Sequence, residues 1–340
     1  MFFIAEAGVN HNGDIDLALK LVDIAADAGA DAVKFQTFKA DKTVRTGTKT
    51  VEYQKVNAEQ DDQQELLRRL ELSEEDHYTI AQRCKERGIE FMSTAFDEEC
   101  ADFLASVGIS RIKIPSGELT NLPFIKHLVQ FDLPIILSTG MGNMDEIKQA
   151  YDLIRETRQE MGLGDTPKEK LSILHCTSAY PTPNDQLNLR AITTIANAFE
   201  CAAGYSDHSG GLEAGYLAVA LGATVYEKHF TVDRNLPGPD HKASLEPEEL
   251  KTMIDAIRRA EKMLGTGIKE PQPCELQARD LVRRSVFAAK DLTKGQIISA
   301  SDLIMLRPAS GIEPKYAFDL IGKAAKRDIK NGDPFTMDDL

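Results

Sequence analysis

The sequence predicts an α/β protein built on a (β/α)8 barrel, and three observations lead there. Eight short β-rich runs recur along the first 265 residues, each separated from the next by a segment with apolar residues at helical spacing. Several of those segments stop at a glycine followed at once by the next run, as in Ala28-Gly29-Ala30, Arg87-Gly88-Ile89, Val107-Gly108-Ile109 and Leu221-Gly222-Ala223. Glycine past the last turn accepts the left-handed conformation that closes a helix. The number and length of the units fit a barrel, whereas a doubly wound open sheet would carry a GxGxxG fingerprint after its first strand. Here Gly8-Val9-Asn10-His11-Asn12-Gly13 lacks that spacing.

In chain order the predicted strands are Phe2–Ala7, Ala32–Thr37, Phe91–Phe96, Arg111–Ser116, Ile135–Gly140, Leu171–Cys176, Ala202–Asp207 and Val225–Phe230. Ile15–Ala28, Glu74–Arg87, Asp145–Glu160 and Pro247–Leu264 are among the predicted helices. The stretch from Lys39 to Leu72 is long for a βα loop and rich in Gln, Asp and Glu. It reads equally as a functional lid and as a surface insertion with a short helix of its own. The barrel is expected to span residues 1–264, and residues 265–282, with two prolines in Glu270-Pro271-Gln272-Pro273, read as a linker.

Residues 283–340 are expected to form a small second domain. They contain an echo at an offset of 37 residues: Asp291-Leu292 matches Asp328-Ile329, Gly295 matches Gly332, Ile298-Ser299 matches Phe335-Thr336, and Asp302-Leu303 matches Asp339-Leu340. Each copy reads as strand, glycine turn, apolar residue, then a Ser/Thr cap with Asp three positions on, so two pseudo-symmetric halves are predicted.

The chain of 340 residues carries a formal charge of −14, yet residues 283–340 hold ten basic and eight acidic side chains. An acidic balance argues against a general nucleic-acid surface, though a few buried lysines can still receive a small anion. No apolar window approaches a membrane span, and the N-terminus lacks the basic region of a signal peptide. Five cysteines without a CxxC pair suit a reduced, cytoplasmic protein.

Barrel chemistry sits at the C-terminal strand ends, and polar residues gather at all eight. They are Glu6; Lys34 with Gln36; Ser93 with Thr94; Lys113 with Ser116 and Glu118; Ser138 with Thr139; His175 with Thr177; Ser206 with Asp207 and His208; and Lys228 with His229. Each polar residue in an apolar barrel costs free energy unless paired, so packing alone does not account for the set. Two lysines among hydroxyls suit a ligand carrying phosphate and carboxylate, although Lys34 and Lys113 could also neutralise Glu6 and Glu118. His208 and His229 close adjacent strands and could share a divalent metal or form a hydrogen-bonded pair. Asp240, in a Pro/Gly-rich loop after the last strand, could act as ligand, base or turn cap.

With IAEAGVNHNG (residues 4–13), VKFQT (33–37), IKIPSGE (112–118), LSTGM (137–141), HCTSAYPTP (175–183), GYSDH (204–208), EKHF (227–230) and PGPDH (237–241), the chain resembles the sialic acid synthase family. Its last domain resembles the antifreeze-like (SAF) module of those enzymes. The resemblance implies condensation of phosphoenolpyruvate with an acylamino-mannose sugar to a nine-carbon 2-keto acid and phosphate. It further implies that His208 and His229 bind Mn2+ or Mg2+, and that Lys34, Lys113, Ser116, Ser138 and Ser206 hold phosphoenolpyruvate. Glu118 would manage protons where water attacks, while Glu6, Gln36, Tyr180 and Asp240 would bind and orient the sugar. Arg307 would reach a partner subunit's barrel in a domain-exchanged homodimer.

One position departs from the pattern of bacterial N-acetylmannosamine-specific members, which usually carry Asn after the HCT tripeptide. Here it is Ser178, as in the animal synthases and the legionaminic branch. The first motif resembles the pseudaminic branch less. Two rival readings remain: a class I aldolase forming a Schiff base at Lys113 or Lys228, and a non-catalytic module whose tail binds carbohydrate or ice.

Overall fold

The structure is a computed structural model that describes residues 1–49, 62–164 and 170–339. It divides into two compact units, Met1–Gly265 and Thr266–Leu340.

In the first unit the strands are β1 (Phe2–Gly8), β2 (Ala32–Thr37), β3 (Glu90–Ala95), β4 (Ile112–Ile114), β5 (Ile135–Ser138), β6 (Leu171–Cys176), β7 (Ala202–Asp207) and β8 (Val225–His229). They form one parallel sheet in the order β3-β2-β1-β8-β7-β6-β5-β4, which closes a barrel everywhere except a ladder across the β3–β4 seam. All eight expected strands are present. The fourth is the shortest, because Pro115 has no N–H to continue a ladder and the chain turns into a 3-10 helix over Ser116–Glu118.

Strand alternation sorts the side chains into two layers. Phe3, Ala5, Val33, Phe35, Ile112, Ile114, Leu137, Ile173, Tyr205 and Tyr226 pack outward against the helices in the main core. Ile4, Ala32, Met92, Ile136, Leu174 and Val225, with Phe2, fill the lumen as a separate apolar plug. All of these lumen residues but Leu174 come from the first halves of their strands, and each precedes the polar lumen residue of its own strand, so the plug is the floor on which the strand-end polar residues stand.

Local signals set the helix ends. Asp14 accepts hydrogen bonds from the Asp16 and Leu17 amides to start helix Ile15–Ala28, which stops at Gly29 with φ +85°. Ser73 and Asp76 form a reciprocal capping box for helix Glu74–Arg87. Within the Lys39–Leu72 stretch there is a short helix of its own, Gln63–Leu70; residues 50–61 lie outside the described residues. Leu66 and Leu70 of that helix join Val9 and Phe38 in a small satellite core. The loop after β1 presses on the same helix: Gly13, at φ +77°, leaves only 2.5 Å between the place of a Cβ and the Arg69 carbonyl oxygen.

The second unit carries a 3-10 turn at Pro273–Glu275 and a helix, Leu276–Val282, in the segment expected as a linker. Beyond it, β9 (Ser285–Ala288) pairs antiparallel with β10 (Leu303–Leu306). The 37-residue echo is realised as two-fold hydrogen bonding. Leu292 and Ile329 exchange both backbone bonds; the Gly295 amide donates to the Ala325 carbonyl, and the Gly332 amide to that of Ala288. Asp328 Oδ1 accepts from the Lys294 amide and Asp291 Oδ1 from the Asn331 amide. Both glycines adopt φ near +86°, at 87° and 85°, and Ser299 with Asp302 repeats the bonds of Thr336 with Asp339. All five cysteines are free thiols. Among the described residues no helix is long and apolar enough to cross a membrane.

Candidate active site

The inward-facing register that builds the plug continues upward and aims Glu6, Lys34, Gln36, Thr94, Lys113, Ser138, Cys176, Ser206, Glu227 and His229 into the lumen. Lys34 Nζ lies 2.6 Å from Glu6 Oε2, 3.7 Å from Glu227 Oε2 and donates to Thr94 Oγ1 at 2.9 Å. Lys113 Nζ lies 3.4 Å from Glu227 Oε1, which also accepts from Ser206 Oγ at 3.1 Å. Glu227, absent from the residues singled out in the sequence, is therefore the hub that links both lysines. Its signal was available: it lies two positions before His229, on the same face of β8.

Burial and charge act oppositely on the two lumen carboxylates. Burial drives Glu6 up to about 7, with the attraction of Lys34 opposing it. For Glu227 burial pushes the same way, but the attraction of Lys113 and Lys34 outweighs it and brings the carboxyl down to about 2. Burial lowers Lys113, while for Lys34 the desolvation is overcome by Glu227 and Glu6 and its value rises. The lumen thus holds a firmly ionised Glu227 between two lysines, and a Glu6 that changes protonation near neutrality.

A second wall is built for close approach. The Gly140 amide donates to Ser116 Oγ at 3.0 Å, and Ser116 Oγ is 3.1 Å from Cys176 Sγ. A Cβ on Gly140 would stand 2.3 Å from Ser178 Oγ, 2.8 Å from Ser116 Oγ and 2.9 Å from Cys176 Sγ. Beside this cradle Ser138 Oγ is buried with no hydrogen-bond partner among the described residues. A buried hydroxyl left unmade costs on the order of 1–3 kcal/mol, so the cradle has the character of a site awaiting a ligand's oxygen atoms.

His208 and His229 face one another with ring centroids 5.8 Å apart, and Tyr180 lies against both, at 4.2 and 5.8 Å. The Thr177 carbonyl engages His208 Nδ1 at 2.7 Å, leaving Nε2 turned toward Ser206 Oγ at 3.5 Å. His229 Nδ1 is buried with no partner among the described residues. Burial lowers His208 to about 4 and His229 well below its ordinary value, so both rings are neutral, the form that ligates metals. These two imidazoles fit a divalent ion. Among the described residues no cluster of three or more His, Cys, Asp or Glu is placed to hold one, so these two imidazoles are the donors the chain would offer here.

Gln36 completes the β1–β2 side: Gln36 Nε2, Glu6 Oε1 and His229 Cε1 all lie within 3.5 Å of where a Gly8 Cβ would stand. Asp240 is buried and raised by that burial to about 6, and its side chain makes no cap bond to the turn that follows. Glu118 lies on the 3-10 turn after β4 that also carries Ser116, half-buried, with Asn121 Nδ2 donating to it at 2.6 Å. The partner of Lys113 is accordingly Glu227, and not Glu118. Arg307 belongs to the second unit.

Five of the strand-end polar residues do not face the lumen. Ser93 hydrogen-bonds Thr37, which also meets His77; His175 stacks on Tyr205 and bonds the Leu187 carbonyl; Thr139 bonds the Leu174 carbonyl; and Asp207 pairs with Lys228 on the helix side. They occupy alternate positions of their strands or the turns that follow, so the two-residue period separates them from the site.

A barrel whose strand ends gather two buried lysines, the unpartnered Ser138 hydroxyl and two facing imidazoles has the site of a barrel enzyme. The comparisons make the family definite. Residues 21–269 match the NeuB family and residues 283–340 match the SAF domain. The chain is 50% identical to the N,N'-diacetyllegionaminic acid synthase of Legionella pneumophila, covering 97% of this chain and 92% of that one. It is 44% identical to the N,N'-diacetyllegionaminic acid synthase of Campylobacter jejuni, over 96% of each. Among solved structures, the N-acetylneuraminic acid synthetase of Leptospira borgpetersenii aligns with a TM-score of 0.70 at 35% identity, covering 82% of this chain and 89% of that one. The chain belongs to the NeuB family and ends in a SAF domain.

Proposed function

We propose that this enzyme condenses phosphoenolpyruvate with 2,4-diacetamido-2,4,6-trideoxymannose, giving N,N'-diacetyllegionaminate and inorganic phosphate. The observation that carries the reading is the convergence of Lys34 and Lys113 with the orphaned Ser138 hydroxyl at the lumen mouth. The choice of sugar draws on the two legionaminic synthases among the relatives.

Lys34, Lys113, Ser116, Ser138 and Ser206 hold the phosphate and carboxylate of phosphoenolpyruvate by charge-assisted hydrogen bonds. His208 and His229 would hold Mn2+ (or Mg2+), which when bound would polarise the sugar's aldehyde carbonyl. Tyr180, Gln36, Glu6 and Asp240 orient the sugar so that its aldehyde carbon meets the phosphoenolpyruvate methylene. Formation of that C–C bond leaves an oxocarbenium carbon bearing the phosphate ester. Glu118 accepts the proton of the water that attacks it, and C–O cleavage then releases phosphate and leaves the 2-keto acid. Glu6, titrating near neutrality, supplies a proton to the former aldehyde oxygen. Arg307 of the partner copy contacts the sugar's acyl group in a domain-exchanged homodimer, and the enzyme works in the cytoplasm.

The test is phosphate release from phosphoenolpyruvate with Mn2+, with this sugar and N-acetylmannosamine run in parallel, with and without a chelator. Release that requires both metal and sugar, with the larger kcat/KM on the diacetamido sugar, is expected. Equal or better use of N-acetylmannosamine would overturn the sugar assignment. No release with either would overturn the reaction. A borohydride-trapped pyruvate adduct on Lys113 would instead establish Schiff-base aldolase chemistry; Lys228 is fully buried in its ion pair with Asp207.

A further inference from the structure

Behind the two histidines, on the helix side of the barrel wall, lies a fully buried polar cluster that the proposed chemistry does not use. Lys228 Nζ donates to Asp207 Oδ2 at 2.8 Å and to the Ser209 carbonyl at 2.5 Å. The Asp207 carboxylate also accepts from Tyr226 Oη at 2.5 Å and from the Ser209 amide at 2.8 Å. Both charged side chains are 0% exposed. Tyr226 is equally buried, held between Phe3 and Tyr205.

Such a pair is a poor stabilising device. Removing two ions from water costs several kcal/mol, and a well-packed apolar pair of similar volume often does as well or better. What the cluster does supply is geometry. Asp207 and Ser209 flank His208, and Lys228 precedes His229. The ammonium and carboxylate therefore grip the chain on both sides of one imidazole and tie it to the strand position just before the other. Asp207 and Lys228 are also direct register partners in the β7–β8 ladder, so the bond runs straight across the two strands that present the rings. The backbone of residue 208 has left the β7–β8 ladder; its carbonyl accepts from the Thr182 amide at 2.8 Å, and the cluster's bonds to Asp207 and Ser209 hold the chain on either side of it.

We propose that Asp207, Lys228 and Tyr226 are positioning residues for the His208–His229 pair, holding the two imidazoles at the separation a divalent ion requires. This rests on the reading of those histidines as metal ligands. Groups behind metal ligands commonly change affinity by about 10–100-fold when removed.

The experiment measures Mn2+ binding to the full-length protein, without substrates, from the electron paramagnetic resonance signal of free Mn2+. The Asp207→Leu/Lys228→Met double variant keeps the buried volume and removes both charges together. It is expected to melt close to wild type yet bind Mn2+ about 10–100-fold more weakly. Wild-type affinity in the double variant would overturn the proposal. If that variant does not fold, Tyr226→Phe decides, since it deletes one hydroxyl and little volume. Weaker Mn2+ binding well below its melting temperature supports the positioning role, and unchanged affinity refutes it. His208→Ala/His229→Ala separates the two readings. If it binds Mn2+ as wild type does, the metal assignment itself has failed. If it loses binding while the buried-cluster variants keep theirs, the metal assignment stands and the positioning role falls.

Discussion

Replacing Gly140 by Ala tests whether the wall formed by Ser116, Ser178 and Cys176 is a binding surface. The backbone at Gly140 is not left-handed, so the cost is steric and not conformational. The new methyl would stand 2.3 Å from Ser178 Oγ and 2.8 Å from Ser116 Oγ, which real contacts do not tolerate, so both hydroxyls must rotate away. Overpacking of this kind costs about 1–3 kcal/mol, and in a barrel of this size each kcal/mol lowers Tm by about 2–4 °C. The displaced hydroxyls would also lose their bonds to an anionic ligand, worth about 1.5–3 kcal/mol each, or roughly a 10- to 150-fold rise in the KM for phosphoenolpyruvate. Removing the nearest obstacle should recover part of the stability: Gly140→Ala/Ser178→Ala is expected to melt above Gly140→Ala, with an interaction above about 0.5 kcal/mol. Thermal melts and phosphate-release kinetics on the three proteins read both quantities. A Gly140→Ala enzyme with lowered Tm but wild-type KM for phosphoenolpyruvate would refute the cradle.

Further outcomes follow from other parts of the molecule. Burial holds His11 down at about 4 from an ordinary 6.5, so between those values the unfolded chain binds the proton and the folded chain does not. Stability is then present above pH 6.5 and lost as pH falls toward 4, by at most about 3 kcal/mol for this group; His11→Gln should flatten the fall in urea midpoints measured from pH 7 to pH 4.5, and an unchanged slope would count against it. Arg307→Ala is expected to raise the KM of the sugar several-fold more than that of phosphoenolpyruvate; equal effects would remove Arg307 from the sugar site. Asp291→Ala and Asp328→Ala each delete one of two matching amide bonds, and Asp291→Ala also an exposed ion pair with Lys330 that contributes little, so both should destabilise the second unit by about 1 kcal/mol by calorimetry of the full chain. Markedly unequal losses would mean the two halves are not energetically equivalent.

The sequence by itself determined the barrel, because its signals are local. Period-2 runs, 3.6-period helices and glycine stops such as Gly29 and Gly88 each act within a few residues of themselves. The duplication in the tail was equally legible, since a fixed offset of 37 residues needs no knowledge of the fold. Most of the lumen residues could also be named, because strand ends are known once the strands are.

Only the tertiary structure decided which polar residues share the lumen. Lys228 and His229 are neighbours in sequence yet lie on opposite sides of the barrel wall, one sealed in an ion pair and one turned toward His208. The same closure made Glu227 the counter-ion of lysines 193 and 114 positions away, a pairing that no local pattern encodes. The physical reason is that buried charges must find partners through space. Charge neutralisation in a low-dielectric lumen is settled by how the strands close, and closure is a property of the whole sheet.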